Sequence, residues 1–252
     1  MKLQLITLLL FTLGLQAQQK DTLTIDAGNL GTAHLNYGNM NYLMYIKSAK
    51  DGHISNTTLV SIGVQKDQLD GRPCIAVRQS WQTDTVIHTA STLFEESLMK
   101  SIQHTAWWKH KGYSTDFNFR KKDVAFGGTI SEAQKQKETA SFQSALAEPF
   151  LNWHSDLVIF PLLPFKENTV FKIKFYEPGY ETPKEELYEV LKSETLTIAG
   201  NPVECWVLNY AVAKPAGYQR FWISRKSREL IKEEDRFLGF YRYKLRLMAD
   251  GQ

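Results

Sequence analysis

Residues 200–247 read GNPVECWVLNYAVAKPAGYQRFWISRKSRELIKEEDRFLGFYRYKLRL, and a period of two runs through four successive segments of this stretch. In 203–211, Glu204, Trp206, Leu208 and Tyr210 point one way and Val203, Cys205, Val207 and Asn209 the other, because successive strand side chains alternate faces. Both faces are largely apolar, which marks a central strand. Lys214, Pro215, Ala216 and Gly217 supply turn chemistry, 218–224 start a second strand, and 225–228 form the next turn. Alternation returns over 229–234, and 235–239 close a hairpin. In the last strand Tyr241, Tyr243, Leu245 and Leu247 form one face and Arg242, Lys244 and Arg246 the other. That is the pattern of an antiparallel strand with one face packed and one in water. Glu233, Glu234 and Asp235, flanked by Lys232 and Arg236, then read as the solvated end of this meander.

Upstream, the same period predicts strands over 41–47, 57–65, 74–81, 85–93, 98–107 and 113–119, separated by turn residues such as Asp70 and Gly71. Trp107, Trp108, Lys109, His110, Lys111 and Gly112 read as a solvated hairpin tip whose rings cover the sheet edge. Residues 131–140 have no apolar period and read as an exposed loop. Between 147 and 161 the period changes. Phe150, Leu151, Trp153, Leu157, Val158 and Phe160 recur every three to four residues, Pro149 suits a first helical turn, and Pro161 stops it. A helix near 149–160 is the prediction, apolar enough to lie buried against the sheet. Strands resume over 169–176 and 187–198. The fold class is therefore mainly β: one strongly curved antiparallel sheet, a half-barrel, with one apolar helix across its open side.

At the N-terminus, Lys2, the apolar run 3–15, and Ala17 before Gln18 follow the order of a secretory signal peptide, 1–17, which places the mature protein in the periplasm or outside the cell. The polar residues 18–38 read as a flexible arm, and 39–252 as a single domain. Loss of Lys2 turns 30 basic residues into 29 against 27 acidic ones, so nothing in the charge balance asks for nucleic acid. No later apolar run reaches the ~18 residues of a membrane span. Cys74 and Cys205 each sit in an apolar alternating segment, where a buried free thiol is the simpler reading even in an oxidising compartment.

Residues 70–77 and 199–207 share a plan: a turn glycine, one residue, a proline, then a strand bearing cysteine. Later in each half Ser97, Leu98, Met99 and Lys100 match Arg228 to Lys232 in position between strands. Ordinary turn chemistry accounts for this, and two similar halves are the alternative. Gly200, Pro202, Cys205 and Val207, followed by Phe221, Trp222, Ile223 and Ser224 and by 228–232, resemble the strand core of exported bacterial proteins related to the lipoprotein-carrier half-barrels. The resemblance implies an incomplete barrel with a helix in its mouth, a shape that several relatives use to hold acyl chains. It carries over no ligand-binding residue.

No residue pattern assigns a catalytic group, a metal or a cofactor. The six histidines make no ligand spacing of the usual zinc kinds, although His88 and His104 are placed to meet across adjacent strands. His154, Ser155 and Asp156 are triad residue types at consecutive helical positions, about 100° apart, and cannot line up. His154 and Asp156 with nearby carboxylates would be the first candidates if the protein were an enzyme. The sequence instead points to an exported, non-catalytic binding or carrier module for a hydrophobic small molecule such as a lipid, with a structural or interaction protein of the cell envelope, partnered by another envelope protein, as the alternative. Candidate cavity walls are Trp153, Leu157 and Phe160 on the helix and Trp206, Trp222, Tyr241 and Tyr243 on the strands.

Overall fold

The structure is a computed structural model that describes residues 20–180, 182–212 and 217–247. The signal-peptide reading of 1–17, the start of the arm, and most of the turn at 214–217 lie outside the described residues.

Fifteen strands among the described residues form one large, curved, non-closed sheet. Two antiparallel meanders build it. The first runs β2 (Gly38–Lys47), β3 (Ile54–Leu69), β4 (Arg72–Gln82), β5 (Val86–Glu95), β6 (Ser101–Trp108), β7 (Tyr113–Asn118) and β8 (Asp123–Gly128). The second runs β10 (Thr169–Tyr176), β11 (Lys184–Ile198), β12 (Asn201–Val212), β13 (Gly217–Ser224), β14 (Leu230–Phe237) and β15 (Phe240–Leu247). They join where β15 pairs antiparallel with β2, Lys244 opposite Met44 and Arg246 opposite Tyr42.

The sheet gives the weak repeat a structural counterpart. The β3–β4 turn puts Asp70 and Gly71 at φ 52° and 72°, and the β11–β12 turn puts Ala199 and Gly200 at 46° and 83°. Two successive positive φ values define the tight hairpin turn whose twist suits its strands. The strands flanking each turn are matched in length, 16 and 11 residues in one half and 15 and 12 in the other. The segments at 97–100 and 228–232 fall at the corresponding second connection after each turn, β5–β6 and β13–β14, the latter segment running on into β14.

Several expectations need correction. The arm contains β1 (Asp21–Ile25), which pairs parallel with β10 from Asp21↔Thr169 to Ile25↔Ile173 and buries Ile25. The loop at 131–140 belongs to α1 (Glu132–Ala145). Its apolar period is weak because only Glu138, Phe142 and Ala145 are buried, with Phe142 packed against Phe117 and Tyr176. What specifies it is local: Ser131 accepts a hydrogen bond from the Gln134 backbone N–H at 3.2 Å, in the Ser-x-x-Gln arrangement of a capping box, ahead of strong helix formers. Ser131→Ala is expected to lower the unfolding free energy by about 1 kcal/mol in chemical denaturation.

The helix expected near 149–160 is broken. Residues Leu151–Asn152 form β9, a short parallel strand on β10; Trp153–Ser155 is a 3-10 turn, Asp156–Ile159 is α2, and Phe160–Leu162 is 3-10 again. Side chains compete with the helical ladder here, Asn152 accepting from the His154 N–H at 2.9 Å and Asp156 from the Leu157 N–H at 2.7 Å. This plug still lies on the sheet as predicted. Leu157, Val158, Ile159, Phe160, Leu162 and Leu163 are buried in the main core with Phe171, Tyr188, Leu208, Phe221, Val60 and Ile75. Gln79 bonds the His154 carbonyl, and Arg228 donates to Leu163 O at 3.1 Å, so both ends are tethered.

The faces of β15 are reversed from the expectation, and the acidic end of β14, expected in water, is buried. Glu233 and Asp235 are 2% and 1% exposed and point toward the plug, as do Arg242 and Lys244, while Tyr241 and Tyr243 take the other face. Register makes this possible, since Glu233 stands opposite Lys244 and Asp235 opposite Arg242, and paired charges tolerate an interior that single ones do not. Cys74 and Cys205 are buried free thiols. They lie six strands apart in the sheet order, far beyond the ~7 Å Cα limit of a disulfide at ~4.8 Å per strand.

Candidate ligand cleft

Period-two alternation on four neighbouring strands assembles one aromatic cleft. Phe175 on β10, Glu186 and Tyr188 on β11, Tyr210 and Val212 on β12 and Gln219 on β13 share the plug-facing side, linked across the ladder by Phe175↔Lys184, Tyr188↔Tyr210 and Tyr210↔Gln219. Trp153, at the start of the plug, closes it from above. Its ring meets Phe175 edge-on at 5.0 Å, and Tyr188 stacks on Tyr210 at 5.3 Å. The resulting cavity measures about 220 Å³, with Glu177, Thr182 and Lys184 at its mouth. Two other concavities lack such an aromatic cluster. A larger one of about 570 Å³ is lined by Asn36, Asn39, Asn41, Glu229 and Arg246 together with Tyr37, Met40, Leu59 and Leu247. One of about 330 Å³ is lined by Asp70, Asp116, Asn118, Arg120, Lys121 and Asp123.

At the inner end of the cleft the polar groups are unusual. Tyr188 is fully buried and its hydroxyl has no hydrogen-bond partner; Gln219 Oε1 is likewise buried and unpartnered. Burial, with Asp156 nearby, holds the Tyr188 phenol well above its ordinary pKa, and burial with a bond to Glu186 pushes Tyr210 up to about 12. Across the ladder from Gln219 stands Asp235, whose Oδ1 is also buried without a partner while its Oδ2 accepts from Arg242 Nε at 2.7 Å. Lys244 donates to Glu233 at 2.6 Å. Burial alone would raise the Glu233 carboxyl, but Lys244 and Arg242 outweigh it and hold it below the ordinary range. Burial, reinforced by Glu233, pushes Asp235 up to about 7, and burial pushes Asp156 to about 7 against the pull of Lys244.

Beyond this charge network the plug meets three imidazoles. His104 and His154 stack at 4.7 Å, His88 lies 5.7 Å from His154 and stacks on Trp108 at 3.7 Å. Burial pushes His88 down to about 4 and His104 to about 3, and His154 well below the ordinary value, so all three are neutral near pH 7. His88 Nδ1 bonds the Trp107 carbonyl and His104 Nδ1 the Thr92 hydroxyl, both at 2.8 Å, leaving the three Nε2 atoms without partners. Among the described residues no set of three or more His, Cys, Asp or Glu is placed to hold a metal ion. His154 stacks on His104, while Asp156 has Lys244 and Glu233 as its charged neighbours.

Of the cavity walls expected from sequence, Trp153 lines the cleft. Phe160 packs between Tyr188 and Phe221, at 5.1 and 4.6 Å, and Leu157 is buried core. Trp206 shares the plug face but sits farther along β12, stacked on Phe165 at 5.8 Å. Trp222, Tyr241 and Tyr243 lie on the opposite face, where Lys232 Nζ stands 4.1 Å from the Trp222 ring and Tyr243 stacks on Tyr45 at 5.2 Å. Leu157 and Phe160 thus pack directly on the sheet, and the aromatic cleft lies at the Trp153 end of the plug. The sequence reading passed over Phe175, Tyr188, Tyr210 and Gln219, although the register of β10 to β13 follows from the same alternation that located Trp206.

The fold and site define a class: a plugged half-barrel with a small aromatic cleft at one rim. The chain belongs to the DUF3108 family of proteins of unknown function, whose pattern matches residues 41–246. That match covers both meanders and the plug, and does not itself extend to the lipoprotein carriers that 200–232 resembles. No curated protein matches the chain. Similar solved structures include the hypothetical lipoprotein YmcC of Escherichia coli K12, at 12% identity over 85% of this chain and 88% of that one with a TM-score of 0.28. A protein of YmcC-like fold from Bacteroides fragilis has 12% identity over 87% and 97%, TM-score 0.35. A DUF1329 family protein from Desulfovibrio piger has 12% identity over 85% and 86%, TM-score 0.27. Scores at this level carry no functional argument. No helix among the described residues is long and apolar enough to cross a membrane.

Proposed function

We propose that the protein is an exported, non-catalytic module that binds a small hydrophobic molecule, such as a short lipid, in the cleft between Trp153 and the β10–β13 surface. The observation that supports this is the cleft itself. Four aromatic side chains, Trp153, Phe175, Tyr188 and Tyr210, face about 220 Å³ of space, and ligand sites are concave, mostly aromatic and apolar, with few polar groups. Taking ~30 Å³ as the share of one water in the liquid, the cleft has room for about seven water-sized groups, which suits a chain or ring of modest size rather than a long diacyl lipid. Export rests on the signal-like N-terminus, Lys2 and the apolar run 3–15.

Phenylnaphthylamine, a neutral fluorophore that brightens in apolar surroundings, tests the reading. Wild-type protein is expected to bind it saturably at one site. Trp153→Ala is expected to weaken that binding about tenfold, because it removes one wall of the cleft while the buried plug residues Leu157 to Leu163 stay in place. No saturable binding by the wild type, or equal binding by Trp153→Ala, would overturn it.

A further inference from the structure

We infer that the cleft selects an amphipathic molecule bearing a hydrogen-bond-donating, cationic head, a primary alkylammonium, with the head at the buried end beside Tyr188 and Gln219 and the chain toward Trp153. The inference rests on the binding reading above and adds the head-group chemistry. Tyr188 lines the cleft, is fully buried, and leaves its hydroxyl unpartnered. Gln219 lines it too and leaves Oε1 buried and unpartnered. A buried polar atom without a partner is unfavourable by the full loss of its hydration, and in native structures such atoms point to a missing water, ion or ligand. The two atoms sit on β11 and β13 with Tyr210 on β12 between them, joined by the Tyr188↔Tyr210↔Gln219 register.

What they want is a donor. Gln219 Oε1 only accepts, and the Tyr188 phenol oxygen is able to accept as well as to donate. The charge lining the cleft has the same sign, although the buried network adds little to it: Asp156 and Asp235, pushed up to about 7, hold much of their protons, so Glu233 stands against Arg242 and Lys244. At the lined walls Glu177 and Glu186 outnumber Lys184. A carboxylate or phosphate head would meet acceptors and like charge in a water-poor site, whereas an ammonium supplies three donors and balances the surplus.

Calorimetric titration of the full mature chain with octylammonium, octanol and octanoate separates the possibilities, because the three share a chain and differ only in the head. Octylammonium is expected to bind at least tenfold tighter than octanoate, with octanol between them. Tyr188→Phe and Gln219→Leu should each weaken octylammonium about tenfold and so narrow its preference over octanoate. Neither atom has a partner in the fold, so both variants should melt as the wild type does. Octanoate binding as tightly as octylammonium, or an unchanged preference in both variants, would overturn the head-group assignment and leave hydrophobic binding standing. Absence of binding by all three, together with failure to bind phenylnaphthylamine, would overturn the binding reading itself; absence of binding by all three with the fluorophore still bound would overturn the assignment alone.

Discussion

Lys244→Ala is expected to lower the unfolding free energy by about 3–5 kcal/mol, among the largest effects of any single substitution in the sheet. Lys244 is 5% exposed and donates to Glu233 at 2.6 Å, deep between β14, β15 and the plug. Truncation leaves Glu233, 2% exposed, with Arg242, at the longer 3.5 Å, as its remaining cation. The lost term is mainly the charge left unneutralised, since removing both partners of a buried pair often leaves stability little changed. A double replacement, Glu233→Leu with Lys244→Met, should therefore recover most of the loss. Urea denaturation of the single and double variants decides the matter: a Lys244→Ala loss below about 1 kcal/mol, or a double variant no better than the single one, would show that the pair is hydrated in solution.

Stability should also respond to acid through two opposed sets of groups. His88 and His104 titrate near 4 and 3 in the fold and His154 well below the ordinary 6.5, so the unfolded chain takes up about three protons that the fold does not. A base with a depressed folded pKa contributes stability above its unfolded pKa and loses it as the pH falls toward the folded one. Each proton changes stability by about 1.4 kcal/mol per pH unit. Asp156 and Asp235, pushed up to about 7 from 3.8, have the opposite sign: the fold holds protons that the unfolded chain releases, so they offset the histidines on acidification. Between pH 5 and 6 the net difference is about one proton, and the wild type should lose only ~1.4 kcal/mol per pH unit. Asp156→Asn removes one counterweight and is expected to double that slope, while His104→Phe removes one imidazole and should nearly abolish it. Urea midpoints measured across this range test the assignment. An unchanged slope in Asp156→Asn would mean that Asp156 is ionised in the fold.

The two sets of groups also show where sequence reading stops. Alternation over 203–211 and 241–247 located the strands, and the turn pairs at 70–71 and 199–200 located the hairpins, because both signals are local: the period belongs to the extended backbone and the positive φ to two residues. The apolar run through Leu157 and Phe160 located the plug. Face assignment was a different matter. Arg242, Lys244 and Arg246 read as a water-facing stripe because charge ordinarily stays outside, and nothing within β15 announces that Glu233 and Asp235 on β14 stand opposite two of them. With that face inverted, Trp222, Tyr241 and Tyr243 went to the wrong side for a cavity shared with the plug. The α1 helix was missed for the converse reason: its signal is the Ser131–Gln134 cap rather than an apolar stripe.

By itself, then, the sequence determined a curved antiparallel sheet with an apolar plug, since hydrophobic period and turn chemistry act over a few residues. Only the tertiary structure decided which face the charges take, that the three histidines meet, and that the aromatic cleft lies at the Trp153 end. Those outcomes depend on register between strands and on the volume the plug fills, and both are set by contacts such as Gln79 with His154 and Phe160 with Tyr188, between residues far apart in the chain.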